Sequence, residues 1–210
     1  MDFSLVFRIN TAYDRWWEGR KLWGKLVNDT RYLAIKINNI LPADRTADRE
    51  FFIDMIANIA FATKEHLRDS ILVSELSLPD ETLRNNVISS THRPNKLADI
   101  LFERTNQLYK DQIIDGYQLY ILDKELKGFV DMIGGCERIK TTPIPFSFSM
   151  FIKKFLFIYS LTLPVSFAWQ FGYWTTPIVI LTFYFLVSVE LISEEIEDPF
   201  GEDINDLPLD

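Results

Sequence analysis

The chain of 210 residues holds one cysteine, two histidines and eight glycines, and each scarcity closes off a class of function. A single Cys136 cannot form an intrachain disulfide, which fits a reducing compartment, and it reads as an ordinary small buried residue. His66 lies in KEHLRD on a helical stretch and His92 lies in a loop beside Pro94, and neither stands at the spacing of a metal site or a catalytic triad. There is no glycine-rich phosphate loop. The composition therefore argues against an enzyme, and no cofactor is required. A basic field is missing as well. The net charge is −8, and from Phe151 onward two lysines stand against nine acids, so the excess acid belongs to the C-terminal end. Nucleic acid is a poor partner for such a chain. The opening MDFSLVFRIN lacks the basic start and small-residue cleavage site of a secretory signal. Its apolar residues Phe3, Leu5, Val6, Phe7 and Ile9 read as the closing turns of a helix whose earlier part is absent, as from a truncated or misassigned start.

What is abundant is apolar and aromatic: 48% hydrophobic residues, 17 Phe and five Trp. That load excludes a disordered chain and must be buried in protein, lipid or a partner subunit. Apolar groups recur at helical spacing over Asp2–Asn39, which has no Pro, and the pattern stops near Leu41-Pro42. A second helix is expected over Asp48–Ser74 and a short one from Pro79-Asp80-Glu81, with Pro in the first turn and acids at its positive end. Ser89–Leu97 reads as a loop, followed by helices over Ala98–Tyr109 and Asp111–Ile133. Gly134-Gly135 marks a stop or a close-packing point, and TTPIP (Thr141–Pro145) a rigid connector.

Beyond it come two uncharged runs, Phe155–Trp169 and Phe171–Val189. A bilayer core about 30 Å thick takes roughly 20 helical residues, so two spans joined near Gln170–Tyr173 fit best, against the alternative of an apolar hairpin buried in a soluble protein. Lys153 and Lys154 flank the first span, and Trp169, Tyr173 and Trp174 gather at the turn as an interfacial belt. The lysine side is then cytoplasmic, which puts the bulk of the chain and the acidic tail there and makes this a multi-pass protein of the cell membrane, with lipid as a partner. The expected organisation is 1–150 as the end of one membrane helix plus a helical cytoplasmic region, 151–192 as a membrane hairpin and 193–210 as the tail.

Three stretches taken in order, FRINTAYDRWWEGRKLWG (Phe7–Gly24), GGCERIKTTPIPFSFS (Gly134–Ser149) and EDPFGEDINDLPLD (Glu197–Asp210), resemble the bestrophin family of ion channels, most nearly its bacterial members. The resemblance covers essentially the whole chain. It implies an all-α integral membrane protein with a membrane hairpin and a large cytoplasmic helical region, assembled as a homopentamer around one central pore. It also implies that the first membrane helix and most of the second are absent here, and that the chain begins where the family's second helix lines the pore. Phe3 and Phe7 then fall on two of the three hydrophobic positions of the narrow neck, and counting back from Pro145 and Gly134 puts a second constriction at Tyr117. Residues four apart share a helix face, so five copies of Phe3 and Phe7 would make stacked apolar rings able to gate by dewetting. Arg15, Trp16, Trp17 and Glu18 are expected to anchor the helix at the interface and to make packing or ion-pair contacts.

The family also has a calcium clasp in its animal members. Carried over, its side-chain ligands map to Asp203 and Asp206 and its carbonyl ligands to Glu195 and Asp198, with Pro199 and Gly201 allowing a sharp bend. Ile204 and Asn205 thin the acids that the animal proteins have, which leaves calcium as a candidate ligand beside a second reading, an acidic belt that packs the tail and draws cations to the pore mouth. By family the permeant ions are inorganic monovalent anions such as chloride. A cation-selective channel and a non-conducting membrane scaffold are the alternatives.

Overall fold

The computed structural model describes residues 3–69, 76–78 and 80–209, with side chains from Leu5 onward. Among these the protein is all-α, with no strand. Its helices are α1 Phe3–Ile40, α2 Thr46–Leu67, α3 Glu81–Ser89, α4 Arg93–Lys110, α5 Gly116–Thr141, α6 Phe146–Phe171 and α7 Thr175–Glu195. Two compact units result. One comprises Met1–Gly19 and Thr141–Leu207, the other Arg20–Lys140 and Pro208–Asp210.

In the second unit α2 and α4 pack together around Phe52, Met55, Ile59, Leu97 and Leu101, all sealed from solvent. On α5 the residues Leu122, Leu126, Phe129, Met132, Ile133, Cys136 and Ile139 recur at three- and four-residue steps and are buried, so one face of a 26-residue helix faces the core. Cys136 is a buried thiol that donates toward the Met132 sulfur at 3.7 Å. Asn58 pins a neighbouring segment by giving Nδ2–H to the Ser77 carbonyl at 2.7 Å and accepting the Ser77 N–H at 2.9 Å.

Several helix boundaries differ from those expected of the sequence, and α5 begins at Gly116 rather than Asp111. The second helix stops at Leu67 rather than Ser74: the Arg68 N–H closes onto the Lys64 carbonyl and Asp69 turns to a φ of +53°, outside the helical region. Ser89–Leu97 is not all loop, because α4 starts at Arg93. The His92 ring caps it by accepting the Asn95 N–H, and Pro94 takes the first-turn slot where its missing N–H costs nothing. At Gly134-Gly135 α5 does not stop but continues to Thr141. Glycine costs about 1 kcal/mol in a helix, and packing offsets it here: a Cβ on Gly135 would stand 3.0 Å from the Leu22 side chain, so the position serves close approach.

In the first unit Pro145 ends the connector, its carbonyl accepts the Phe148 N–H at 2.9 Å, and α6 follows. By the usual rise of 1.5 Å per residue α6 is about 39 Å long and α7 about 31 Å, each enough to cross an apolar layer of about 30 Å. Between them Gly172 takes a φ of +50°, which L side chains rarely adopt, and a single 3-10 turn over Gly172–Trp174 reverses the chain. The reversal is antiparallel, since Lys153 Nζ near the start of α6 reaches both carboxylate oxygens of Glu194 at the end of α7, each at 2.9 Å. Leu5 of α1 is buried at the base of this hairpin with Ile152 and Leu156, against Phe148, Leu186 and Val189.

A hairpin that formed the core of a soluble protein would be mostly enclosed by its own chain. Only 11% of the apolar window in Phe146–Glu195 is buried, so this surface is turned outward. The rings at its turn are the most open, with Trp169 94% and Tyr173 100% exposed, as suits an interfacial belt.

Candidate functional site

The first four turns of α1 have two faces. Leu5, Arg8 and Ala12 are buried, at the three- and four-residue steps of one helical stripe, whereas Val6, Phe7, Tyr13 and Trp17 are exposed. Phe7 is 54% exposed, its ring meets that of Phe148 edge to face at 5.7 Å, and its carbonyl accepts the Thr11 hydroxyl at 2.9 Å. With Thr11, Pro143, Pro145 and Phe148 it borders an open apolar recess of about 440 Å³. The backbone of Phe3 lies one turn earlier on the same helix, and its side chain lies outside the described residues. Tyr117 sits in the first turn of α5, in the other unit, with 74% of its surface exposed.

Directly behind Phe7 is a group the sequence did not announce. Arg8 is 1% exposed, and its guanidinium faces two carboxylates, Glu190 of α7 at 3.2 Å and Glu197 beyond the end of α7 at 3.7 Å. A buried charge persists only when paired, so these two acids fix the inner face of α1 to the base of α7 and thereby fix which way Phe7 points. The available signal was faint: Glu190 is the first charge after the run that ends at Val189, and Arg8 is the first base after an apolar opening.

Glu197 does more than hold Arg8. Its other carboxylate oxygen accepts the Ile144 N–H at 2.9 Å, and its backbone carbonyl accepts Arg15 Nε–H at 3.0 Å. Arg15 also donates to the Thr142 carbonyl, and Trp16 Nε1–H to the Asn205 carbonyl at 3.0 Å. One turn on, Gly19 admits the tail, since a Cβ there would stand 3.2 to 3.3 Å from the Phe200, Pro199 and Leu207 side chains. The RWWEG, TTPIP and EDPFGEDINDLP stretches, dispersed along the sequence, thus converge below Phe7. Arg15 and Trp16 grip backbone carbonyls, while Tyr13, Trp16 and Trp17 stack with centroids 6.3 to 6.5 Å apart.

The four acids considered for a cation shape this tail. Glu195 accepts Asn205 Nδ2–H at 2.7 Å, Asp198 accepts the Phe200 N–H at 3.3 Å, and Asp206 accepts the Asp203 N–H at 2.7 Å. A Cβ on Gly201 would lie 2.5 Å from the Asp206 carboxylate and 4.0 Å from the Asp198 carbonyl, so a carboxylate and a carbonyl border one small space that only glycine leaves open. Those two oxygens fit a calcium ligand set in part. Asp203 is exposed and presents its backbone N–H rather than its carboxylate to this turn.

Comparison with known proteins gives one consistent result. The family model described as bacterial/fungal bestrophin protein matches residues 3–210. A voltage-dependent anion channel-forming protein of Nostoc sp. is 40% identical, the match covering 98% of this chain and 68% of that one. A protein of the same description from Synechocystis sp. is 36% identical over the same shares. Among solved structures, a mutant of a bacterial bestrophin homolog from Klebsiella pneumoniae superposes with a TM-score of 0.94 at 28% identity, covering 98% of this chain and 77% of its own.

Proposed function

The chain belongs to the bacterial and fungal bestrophin family, and from that premise we propose that it forms an anion-conducting membrane channel. The α6–α7 hairpin supplies lipid-facing surface, and copies of the chain, five by family resemblance, surround a central pore. One observation carries the placement of the neck: Phe7 stays exposed on a helix whose opposite face is locked by Leu5 and the Arg8 clamp. An aromatic held that rigidly, yet not covered by its own chain, is suited to meet its symmetry copies. A ring of such side chains offers no fixed charge. It opposes a hydrated ion by dewetting and lets the positively polarised ring edges and nearby backbone dipoles interact with a passing anion. Phe3 would add a second ring one turn away, and Tyr117 a constriction at the cytoplasmic end.

Calcium is proposed as a ligand of the tail, held by the Asp206 carboxylate and the Asp198 carbonyl, with Asp203 and the Glu195 carbonyl completing the set after a small turn of the loop. The ion would tie the tail more tightly under Arg15, Trp16 and Gly19. Thermal melting with millimolar calcium tests this: a rise in the parent that is absent from Asp203→Ala/Asp206→Ala supports the clasp, and equal behaviour of the two rejects it. Chloride efflux from liposomes tests the function itself, with light scattering in detergent to count copies. Efflux by a pentamer is expected. A monodisperse monomer without efflux would leave a non-conducting scaffold.

A further inference from the structure

We propose that His66, His92 and Glu137 form a binding site for a borderline divalent transition metal, with zinc as the reference ion, distinct from the acidic tail. The three residues come from separate elements: His66 from the last turn of α2, His92 from the cap of α4 and Glu137 from the last turns of α5. Both imidazoles aim Nε2 at one atom, Glu137 Oε1, at 2.7 Å from His66 and 2.5 Å from His92. Their rings pack with centroids 4.5 Å apart. All three donor atoms lie within 4.8 Å of one another.

Two neutral imidazoles and a carboxylate make the donor set that zinc takes in sites with an open fourth position. Nitrogen donors select zinc, cobalt, nickel or copper over calcium and magnesium, which separates this site from the tail in chemistry as well as place. Bonds of about 2.0 to 2.1 Å in tetrahedral array set donors about 3.3 Å apart, so a bound ion needs the two contacts to Glu137 to open by about 0.6 to 0.8 Å and the two Nε2 atoms, within 4.8 Å of each other, to take the same spacing. Side-chain rotation supplies that. The residues are about one-third exposed, which leaves an entry path and room for a water ligand.

Two features oppose the ion and both are weak. Lys140 lies close, with Nζ 3.3 Å from the His66 carbonyl, but its charge is met by Asp69 at 2.7 Å. His92 Nδ1 accepts the Asn95 N–H at 3.3 Å, a long bond that is given up when the ring proton moves to Nδ1 and frees Nε2 for the metal. Occupancy would join the end of α2, the start of α4 and the end of α5 at one point.

Calorimetric titration of the full chain in detergent with zinc chloride, paralleled by the visible spectrum with cobalt chloride, tests the proposal. One equivalent per chain and the intense bands of four-coordinate cobalt are expected. His66→Gln and Glu137→Gln, which keep size and hydrogen bonding, should each weaken binding at least about tenfold. Asp203→Ala/Asp206→Ala should leave it unchanged. X-ray absorption of the zinc-loaded parent provides a readout that needs no variant: two imidazoles in the shell support the site. Absence of saturable binding, an affinity equal to the parent's in either single variant, loss of the signal in the tail variant, or an oxygen-only shell would each overturn it.

Discussion

Replacing Arg8 by alanine removes a guanidinium that is 1% exposed and leaves Glu190 and Glu197 turned toward the space it filled. Breaking a buried ion pair by deleting one partner costs about 3 to 5 kcal/mol, because the remaining charge is stranded in a poorly solvated site. Two acids share this base, but Glu197 keeps the Ile144 N–H and is less enclosed, so Glu190 bears most of the penalty. For a chain of this length each kcal/mol shifts the midpoint by roughly 2 to 4 °C, which gives a fall of roughly 6 to 20 °C for Arg8→Ala. Fluorescence-detected melting of the detergent-solubilised protein reads this directly. The companion Arg8→Met/Glu190→Leu should recover most of the loss, since apolar groups of similar volume replace a buried pair at little net cost. If Arg8→Ala melts within about 2 °C of the parent, less than 1 kcal/mol by the same conversion, then Arg8 is not clamped as described and the orientation assigned to Phe7 loses its support.

Other expectations follow from close contacts and buried charge. Gly19→Ala places a methyl 3.2 to 3.3 Å from Pro199, Phe200 and Leu207 and should cost about 1 to 3 kcal/mol, read as a lower melting point and easier proteolysis of the tail. Burial pushes the Asp29 carboxyl above its usual range, with Lys25 pulling it down and Glu125 pushing it up. A carboxyl raised in the folded state disfavours folding above that raised pKa and ceases to do so as pH falls through it, so Asp29→Asn should melt higher than the parent at neutral pH. The gap should shrink in mildly acidic buffer, and a gap that grows there would contradict the assignment. Phe7→Ala should widen the neck and raise unitary conductance in planar bilayers, whereas a conductance equal to that of the parent would remove Phe7 from the permeation path.

The helices and the hairpin were readable because periodicity, uncharged run length and proline position are local properties. Gly172 at the reversal and Pro145 at the entry to α6 lie where the pattern changes. Local signals failed where a residue has two uses. Pro94 suggested a loop but opens a helix, and Gly134-Gly135 left a stop and a close-packing point undecided, of which Gly135 against Leu22 is the second. Long-range groupings were invisible for a different reason. Arg8 and Glu190 are 182 residues apart, and His66, His92 and Glu137 stand at intervals that match no metal signature, so only the packing of three helices brings the latter together. The three motif stretches were legible as words. That Arg15 and Trp16 read the tail through its backbone carbonyls was not, because a carbonyl has no sequence signature.

The central claim is that the assembled chain passes anions. The most direct test is the reversal potential of the purified protein in planar bilayers with asymmetric sodium chloride. A potential displaced toward the chloride equilibrium value is expected. Displacement toward the sodium value, or a bilayer that stays silent with the inserted oligomer, would contradict the account.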